Sequence, residues 1–211
     1  MRNNLLPIAQ QGSSRVAFFA ALFILFTLFD FDFLAFVSFV AALAVAYIYR
    51  NPEREILHFE KQSLLSPADG VIKEIATLED DAEYGYCVTI EGSYNDVALL
   101  RIPCDGVVKE IKVTRGARLA RWEDNFENLN EYAEVVFEAD GENRVKTIHR
   151  LQRSCAPLDV DLIEAQPVRQ GVRYGLAINA QTLLYLPKNF RLECVRGNEL
   201  RGGVSLLGYF C

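Results

Sequence analysis

The chain has few of the residues that usually build catalytic or metal-binding clusters. It contains two histidines among 211 residues, and its five cysteines are scattered, with no C-x-x-C pair among them. An odd number of dispersed cysteines predicts neither a disulfide framework nor a zinc site. Acidic residues outnumber basic ones, 28 to 22, and the sequence has no basic stripe to neutralise phosphates. We therefore expect no bound metal and no nucleic-acid partner.

Charge is nearly absent from the N-terminal part of the chain. Residues 16–29 and 33–49 contain no charged side chain, and Asp30 and Asp32 lie between the two runs. Each run is shorter than the roughly 20 residues that cross a bilayer comfortably. One continuous helix would bury both aspartates, at about 2.5–3.5 kcal/mol each. The pattern therefore predicts a hydrophobic helical hairpin over residues 16–49, transmembrane or re-entrant, that anchors the chain in a membrane.

Basic residues stand on both sides of this hairpin. Arg2 and Arg15 precede it, within an N-terminal tail predicted over residues 1–15, and Arg50 and Arg54 follow it. Positive charge marks the cytoplasmic side of membrane segments. We therefore predict that the protein lies at the cell membrane and that its soluble part faces the cytoplasm.

The alternative is a cleaved signal peptide, with the small residues 44–46 ("AVA") as the cut site. Its apolar region would be longer than the usual roughly 7–15 residues, which favours the anchor.

Residues 50–211 have the composition of an ordinary soluble domain. Helical periodicity is scarce there, whereas short segments rich in β-branched and aromatic residues alternate with glycine turns. Residues 123–131 ("EDNFENLNE") predict a polar loop. The fold expected is therefore β-dominated, all-β or α+β, with helices only near the start of the chain. The clearest predicted strands are "GVIKEIATL", "YCVTIEG", "GVVKEIKVT", "YAEVVFEAD", "RVKTIHRLQ" and "GLAINAQTLLYLP".

A short motif occurs twice. Residues 67–75 ("PADGVIKEI") and 103–111 ("PCDGVVKEI") match at seven of nine positions. Asp-Gly before a β-branched run is turn chemistry, so Asp69 and Asp105 are interpreted as turn residues of two hairpins in quasi-symmetric positions.

Glycine turns within residues 113–120 and 195–208 further predict hairpins like those of biotinyl and lipoyl carrier domains. Neither hairpin has the modifiable lysine that a carrier presents at its tip.

Four motifs in a fixed order carry a resemblance to a known family. They are "YIYRNPERE", "SPADGVI", "DVALLRIPCDGVVKEI" and "YGLAINAQTLLYLP". Their order resembles that of the phosphatidylserine decarboxylase family in its short membrane-anchored form, with F-F-R-D-P-x-R, S-P-x-D-G, D-V-H-x-N-R-x-P-x-x-G and G-x-x-x-F-G-S-x-V-x-x-x-x-P. The resemblance covers residues 46–208. It implies a phosphatidylserine-decarboxylase-like domain of phospholipid metabolism, whose partner is a membrane phospholipid, phosphatidylserine or phosphatidylethanolamine.

Members of that family are proenzymes that make their own cofactor. A serine hydroxyl attacks the carbonyl before it, and elimination from the resulting ester leaves a pyruvoyl group on the new N-terminus. The pyruvoyl ketone then accepts electrons during decarboxylation, as pyridoxal phosphate does elsewhere. An aspartate and a histidine support the serine, in the manner of a nucleophile–base pair.

The resemblance places these roles on residues that have largely lost them. Asp69 matches the family aspartate, but the histidine position is Ala98. The glycine–serine cleavage pair falls at Asn179 and Ala180, with one residue fewer than in the family motif between Gly175 and the pair. Alanine has no hydroxyl for attack and no β-leaving group, and a methyl group accepts no proton. Asp69, Ala98, Asn179 and Ala180 are therefore expected to be vestigial positions, with no intact catalytic site and no pyruvoyl cofactor.

Other residues offer poor substitutes for the missing groups. Thr182 would yield a bulkier ketoacyl group, and cyclisation of Asn179 would yield a succinimide rather than a ketone. His58 and His149 lie far from the motifs, and His149, in a predicted strand, is expected to be a structural histidine.

Three functions remain open on these grounds. The first is an uncleaved, membrane-anchored family member that binds phospholipid or acts as a regulator, as a homo-oligomer or in complex with an active homologue. The second is an active phosphatidylserine decarboxylase, a carboxy-lyase that makes phosphatidylethanolamine by an altered site. The third is a non-enzymatic membrane adaptor.

Overall fold

The structure is a computed structural model that describes residues 6–54, 62–79, 81–139 and 143–211. The chain divides into two compact units, one ending at Glu53 and the other beginning at Arg54. The N-terminal unit is a pair of apolar helices. In the second unit, the described residues form many strands, joined by loops and turns, and one short helix.

The N-terminal helices form a hairpin. Helix α1 (Gln10–Leu28) and helix α2 (Asp32–Ile48) contain 19 and 17 residues, and Asp30 in the turn between them has a positive φ of 56°. Helix α1 is long and apolar enough to cross a membrane, whereas α2 is shorter. The first helix begins at Gln10, inside the segment expected to be a tail.

The open end of the hairpin is closed around Tyr49. This side chain is 2% exposed and lies against Gly12, where an added Cβ would approach it to 2.3 Å. Arg15 donates a hydrogen bond to the Tyr49 hydroxyl, and Ala9 N–H donates to the Tyr49 carbonyl at 2.7 Å. Since these contacts join the start of α1 to the residue after α2, they hold the two open ends of the helix pair together.

The second unit contains short antiparallel strands and one short helix, α3 (Phe126–Leu129). In chain order the strands are β1 (Ser63–Leu65), β2 (Gly70–Thr77), β3 (Tyr84–Glu91), β4 (Leu99–Arg101), β5 (Gly106–Thr114), β6 (Tyr132–Ala139), β7 (Arg144–Leu151), β8 (Asp159–Val160), β9 (Pro167–Val168), β10 (Arg173–Leu176), β11 (Ala180–Pro187), β12 (Phe190–Leu192), β13 (Glu199–Leu200) and β14 (Leu206–Phe210).

Eight of these strands form the main sheet. Their order is β13-β2-β3-β11-β7-β6-β5-β9, and two three-stranded sheets, β1-β14-β12 and β4-β10-β8, accompany it. Alternate residues of β6 and β7 are buried, as expected for strands with one face on a core. The prediction of a β-dominated domain is confirmed. Its core includes Val88, Val108, Phe137, Val145, Leu151 and Leu184, all fully buried.

The repeated motif produces two equivalent backbone features. Gly70 begins β2 with a φ of 148°, and Gly106 begins β5 with a φ of 155°. Each strand then pairs with the next long strand, and the register shifts at the same point, at Lys73 in β2 and at Lys109 in β5. Quasi-symmetric hairpins were predicted at these positions, and the pairing confirms them.

The two carrier-like hairpins were predicted wrongly. After β5 ends at Thr114, a long loop containing α3 precedes β6. Strand β13 pairs with β2, and β14 pairs with β1 and β12. A glycine turn specifies a local reversal of the chain but not the partner of the strand that follows it, so the strands pair with distant segments instead.

The segment predicted as one strand over residues 175–187 is also divided. Strand β10 ends at Leu176, and β11 begins only at Ala180. Asn179, between them, has a φ of 52°, which a continuous strand does not accommodate.

Substitution of Gly106 by alanine tests the requirement for glycine at the start of β5. An added Cβ would lie 2.0 Å from the Glu138 carbonyl oxygen, in addition to the strain of the positive φ. We expect Gly106→Ala to lower the free energy of unfolding by about 2–4 kcal/mol. Gly197→Ala is the matched control, because Gly197 also has a positive φ but nothing lies within 4 Å of its added Cβ. Denaturant unfolding of both variants in detergent provides the measurement, and equal losses would contradict the steric argument.

Candidate active site

The structure brings together the four positions singled out in the sequence. Asp69 precedes β2, Ala98 precedes β4, and Asn179 and Ala180 lie at the start of β11, yet all four line one cavity. Its volume is about 10 Å³, which accommodates roughly one water molecule. Their descent from catalytic residues stays a prediction, whereas their proximity is a property of the fold.

Apolar side chains fill most of the space around this cavity. Leu100 is 2% exposed, and the small side chains of Ala98, Ala177 and Ala180 are 7–8% exposed. Ala177 N–H donates to the Ala98 carbonyl at 2.8 Å, so the segments before β4 and β11 are joined directly at the cavity wall. A cavity of this size has no room for a phospholipid headgroup.

The carboxylate of Asp69 is held in a buried ion pair. Both of its oxygens lie 2.6 Å from the two terminal nitrogens of Arg54, and the side chains are only 9% and 11% exposed. Gly202 N–H donates to Asp69 Oδ1 at 2.7 Å, and Arg54 donates to the Gly202 carbonyl at 2.8 Å. This bidentate geometry, with two parallel N–H···O hydrogen bonds, is the strong form of an arginine–carboxylate pair.

The interpretation of Asp69 as a turn residue is therefore wrong in its main point. Its repeat counterpart Asp105 does not bond its own backbone either, because its Oδ1 accepts the N–H of Gln170, a distant residue in the chain, at 2.8 Å on an exposed surface. The charge pattern of the sequence indicates for Arg54 only a position beside the hydrophobic hairpin. The signal that identifies it is the last arginine of "RNPER", which matches the final arginine of the family motif.

The junction between Asn179 and Ala180 keeps a distinctive backbone. Gln152 N–H donates to the Asn179 carbonyl at 3.0 Å, and the Asn179 side-chain amide donates to the Gln152 carbonyl at 2.6 Å. Gly92 N–H donates to the Ala180 carbonyl at 2.9 Å. A backbone N–H aimed at a carbonyl oxygen is the kind of donor that stabilises a developing oxyanion. The atom that would attack the Asn179 carbonyl is absent, since residue 180 is an alanine and its side chain is a methyl group.

His149 lies in the core, and each of its two ring nitrogens has a hydrogen-bond partner. It is fully buried, its Nδ1 lies 2.8 Å from Thr182 Oγ1, and its Nε2 lies 2.5 Å from the Tyr174 hydroxyl. Burial lowers the pKa of His149 to about 3 and raises the pKa of Tyr174. The prediction of a structural histidine is confirmed, while His58 lies outside the described residues.

Thr182 is the hydroxyl nearest to the expected cleavage position along β11. It lies within a regular antiparallel ladder, paired with Ile90 on one side and His149 on the other. The peptide before it therefore lacks the left-handed geometry found at Asn179.

Across the four described segments, no three His, Cys, Asp or Glu side chains group in a way that would hold a metal ion.

Comparisons with known proteins agree with the arrangement of these motifs. A family model described as phosphatidylserine decarboxylase matches residues 41–208. A phosphatidylserine decarboxylase proenzyme of Ehrlichia chaffeensis is 28% identical over 83% of this chain and 80% of its own length. Proenzymes of the same name from Neorickettsia sennetsu and Rickettsia typhi are 31% and 26% identical, over 80% and 96% of this chain and 76% and 90% of their own lengths.

Removal of the buried carboxylate charge tests the ion pair. Asp69→Asn leaves Arg54 buried without its counter-ion, so we expect a loss of about 3–5 kcal/mol in the free energy of unfolding. Asp105→Asn makes the same chemical change at the equivalent, exposed position of the repeat and should cost less than about 1 kcal/mol. Denaturant unfolding of the two variants measures the difference, and equal costs would show that the pair contributes little.

The buried histidine makes stability depend on pH. Its pKa is 6.5 when unfolded and about 3 when folded, so the unfolded chain binds more protons between these values. Stability should therefore fall as the pH is lowered through this window, with a contribution of up to about 1.4 kcal/mol per pH unit. The free energy of unfolding, measured at several pH values, should change less steeply with pH in the His149→Gln variant than in the unaltered chain. Identical slopes in the two chains would refute this assignment.

Proposed function

Because the chain belongs to the phosphatidylserine decarboxylase family, a family of phospholipid metabolism, we propose that it is a membrane-anchored member that neither cleaves itself nor forms a pyruvoyl group. One observation carries the proposal. The fold assembles the family's motif positions around a single cavity, and methyl groups stand where the resemblance places the nucleophile and the base.

The chemistry of pyruvoyl formation does not fit these residues. Cleavage requires a hydroxyl to exchange an amide for an ester, a base to remove a proton, and the ester to leave from the β-carbon. Ala180 has no oxygen on its β-carbon, and Ala98 accepts no proton. Loss of either member of a comparable nucleophile–base pair removes several orders of magnitude in rate. The carboxylate of Asp69, which would stabilise a protonated base, forms an ion pair with Arg54 instead.

A regulatory role through assembly is the function that these features favour. The cavity at the vestigial site is too small for a headgroup, which counts against lipid binding there. Contact with phospholipid is assigned to the hairpin of α1 and α2, with residues 16–49 as the anchor and residues 50–211 as the domain at the cytoplasmic face. The domain would then act as a homo-oligomer or in complex with an active homologue at the cell membrane.

One observation favours an active enzyme with an altered site. Thr182 Oγ1 lies 2.8 Å from His149 Nδ1, which is a nucleophile and a base in contact. Cleavage at this residue would leave a ketobutyryl group, one carbon longer than pyruvoyl.

The third hypothesis is an adaptor built on carrier-like hairpins. The strands that would form these hairpins pair with other segments, so no observation favours it.

The intact mass of the purified full-length chain tests the proposal. We expect one species at the mass of the uncleaved chain, 23.8 kDa, and no carbon dioxide from carboxyl-labelled phosphatidylserine. A fragment beginning at residue 180 or 182 with a ketoacyl end would overturn it. The double variant Ala98→His/Ala180→Ser is the matched comparison, and we expect slow scission before residue 180, because the polarised carbonyl of Asn179 is retained.

A further inference from the structure

A second, larger pocket lies on the opposite face of β11 from the vestigial site. Side chains of a strand alternate between its two faces. Ala180 and Thr182 line the small cavity, whereas Gln181 and Leu183 line a pocket of about 400 Å³. This volume is within the usual range for small-molecule sites, roughly 300–1,000 Å³.

The floor of the pocket is the outer face of the main sheet. Thr89 of β3 stands between its cross-strand neighbours Glu74 of β2 and Leu183 of β11, and all three line the pocket. The wall is the segment 121–128, at the start of α3. Because β2, β3 and β11 are adjacent in the sheet, the floor is a rigid part of the fold.

Two contacts hold the wall against the sheet. Phe126 is 4% exposed, and the Arg150 guanidinium lies 5.7 Å from the centre of its ring. Arg121 donates to Glu91 Oε2 at 2.9 Å, which ties the other end of the wall to β3. The pocket therefore exists without a ligand to form it.

Polar groups on the floor lack hydrogen-bond partners. Thr89 is only 8% exposed, and its hydroxyl forms no hydrogen bond within the described segments, although this oxygen is not among the fully enclosed side-chain atoms that lack a partner. Gln181 is 7% exposed, its Oε1 receives a long 3.4 Å contact from Arg150, and its amide nitrogen has no partner in the same part of the chain. Neither atom is cut off from solvent, so a ligand that enters the pocket can pair with them in place of water.

The charge of the pocket is negative. Glu74 and Glu127 line it and form no ion pair with any residue that the structure describes, whereas Arg121, the cation in the lining, is committed to Glu91. Glu123 is a third carboxylate of the lining, with one oxygen accepting the Ala120 N–H. The described part of the chain has no cluster suited to a metal ion, so the charges favour an organic cation.

We propose that this pocket binds a small organic ammonium compound. The carboxylates of Glu74 and Glu127 receive its cation, and the Thr89 hydroxyl and the Gln181 amide pair with its neutral polar groups. This pocket is separate from the small cavity, because it lies on the other face of β11. None of the four residues in the motif positions lines it.

Binding is tested with the full-length protein in detergent and ethanolamine as the probe. Ethanolamine carries an ammonium at one end and a hydroxyl at the other, and ethylene glycol is its uncharged control. Trp122, the single tryptophan, lies between the pocket residues Arg121 and Glu123 and provides a fluorescence signal, with calorimetry as a second readout. We expect saturable binding of ethanolamine in the millimolar range and none of ethylene glycol.

Matched variants assign the binding to this pocket. Glu127→Gln and Thr89→Val each remove one contact while keeping the side-chain shape, so we expect the dissociation constant to rise about tenfold for the charge and about fivefold for the hydroxyl. Glu110→Gln removes an exposed carboxylate of β5 that does not line the pocket and should leave the constant nearly unchanged. Absence of saturable binding, or equal constants in all variants, would overturn the proposal.

A vesicle experiment separates two sources of the same chemistry. Fluorescence is compared in vesicles of phosphatidylcholine alone and in vesicles that also contain phosphatidylethanolamine. A Glu127-dependent response to phosphatidylethanolamine identifies a lipid headgroup, and a response only to free ethanolamine identifies a soluble amine. Neither result depends on whether the chain is cleaved, so failure here leaves the proposed function to its own test by intact mass.

Discussion

A buried arginine–carboxylate pair joins three parts of the chain at the wall of the small cavity. Arg54 is the first residue of the strand-built unit, Asp69 precedes β2, and Gly202 lies in the loop before β14, close to the C-terminus. Ion pairs removed from water are stable only when the remaining donors and acceptors are also satisfied, and here both the glycine N–H and its carbonyl complete the arrangement. The pair therefore ties Arg54 to the segments before β2 and β14, and it neutralises the charge of Asp69 at the cavity wall.

The same pair explains how the residues that line the small cavity are compatible with one another. With alanines at positions 98 and 180, an unpaired carboxylate at this small cavity would be a buried charge without a partner. Pairing with Arg54 neutralises that charge, and Leu100 makes the adjoining wall apolar. Strand β11 then separates two environments, an almost filled cavity on one face and an open, polar, acidic pocket on the other.

Periodicity and turn chemistry in the sequence were sufficient to predict much of this fold. The alternation of buried residues in β6 and β7 and the Asp-Gly repeat gave strands and equivalent hairpins, because these depend on residues close together in the chain. The pairing of β13 and β14 depends on contacts across more than a hundred residues, so glycine turns alone led to a wrong result. The motif order identifies the cavity residues and the last arginine of "RNPER", but neither the pairing of Arg54 with Asp69 nor the pocket behind β11 follows from local pattern. Each arises only when separate segments meet.

The left-handed backbone at Asn179 restricts which amino acids this position tolerates. A φ of 52° is accessible to glycine without strain and to asparagine at modest cost, whereas a β-branched side chain clashes with its own carbonyl there. The Asn179 side chain also bonds the Gln152 carbonyl, an interaction that glycine lacks. The backbone conformation itself therefore limits this position to a narrow set of residues, whatever chemistry takes place beside it.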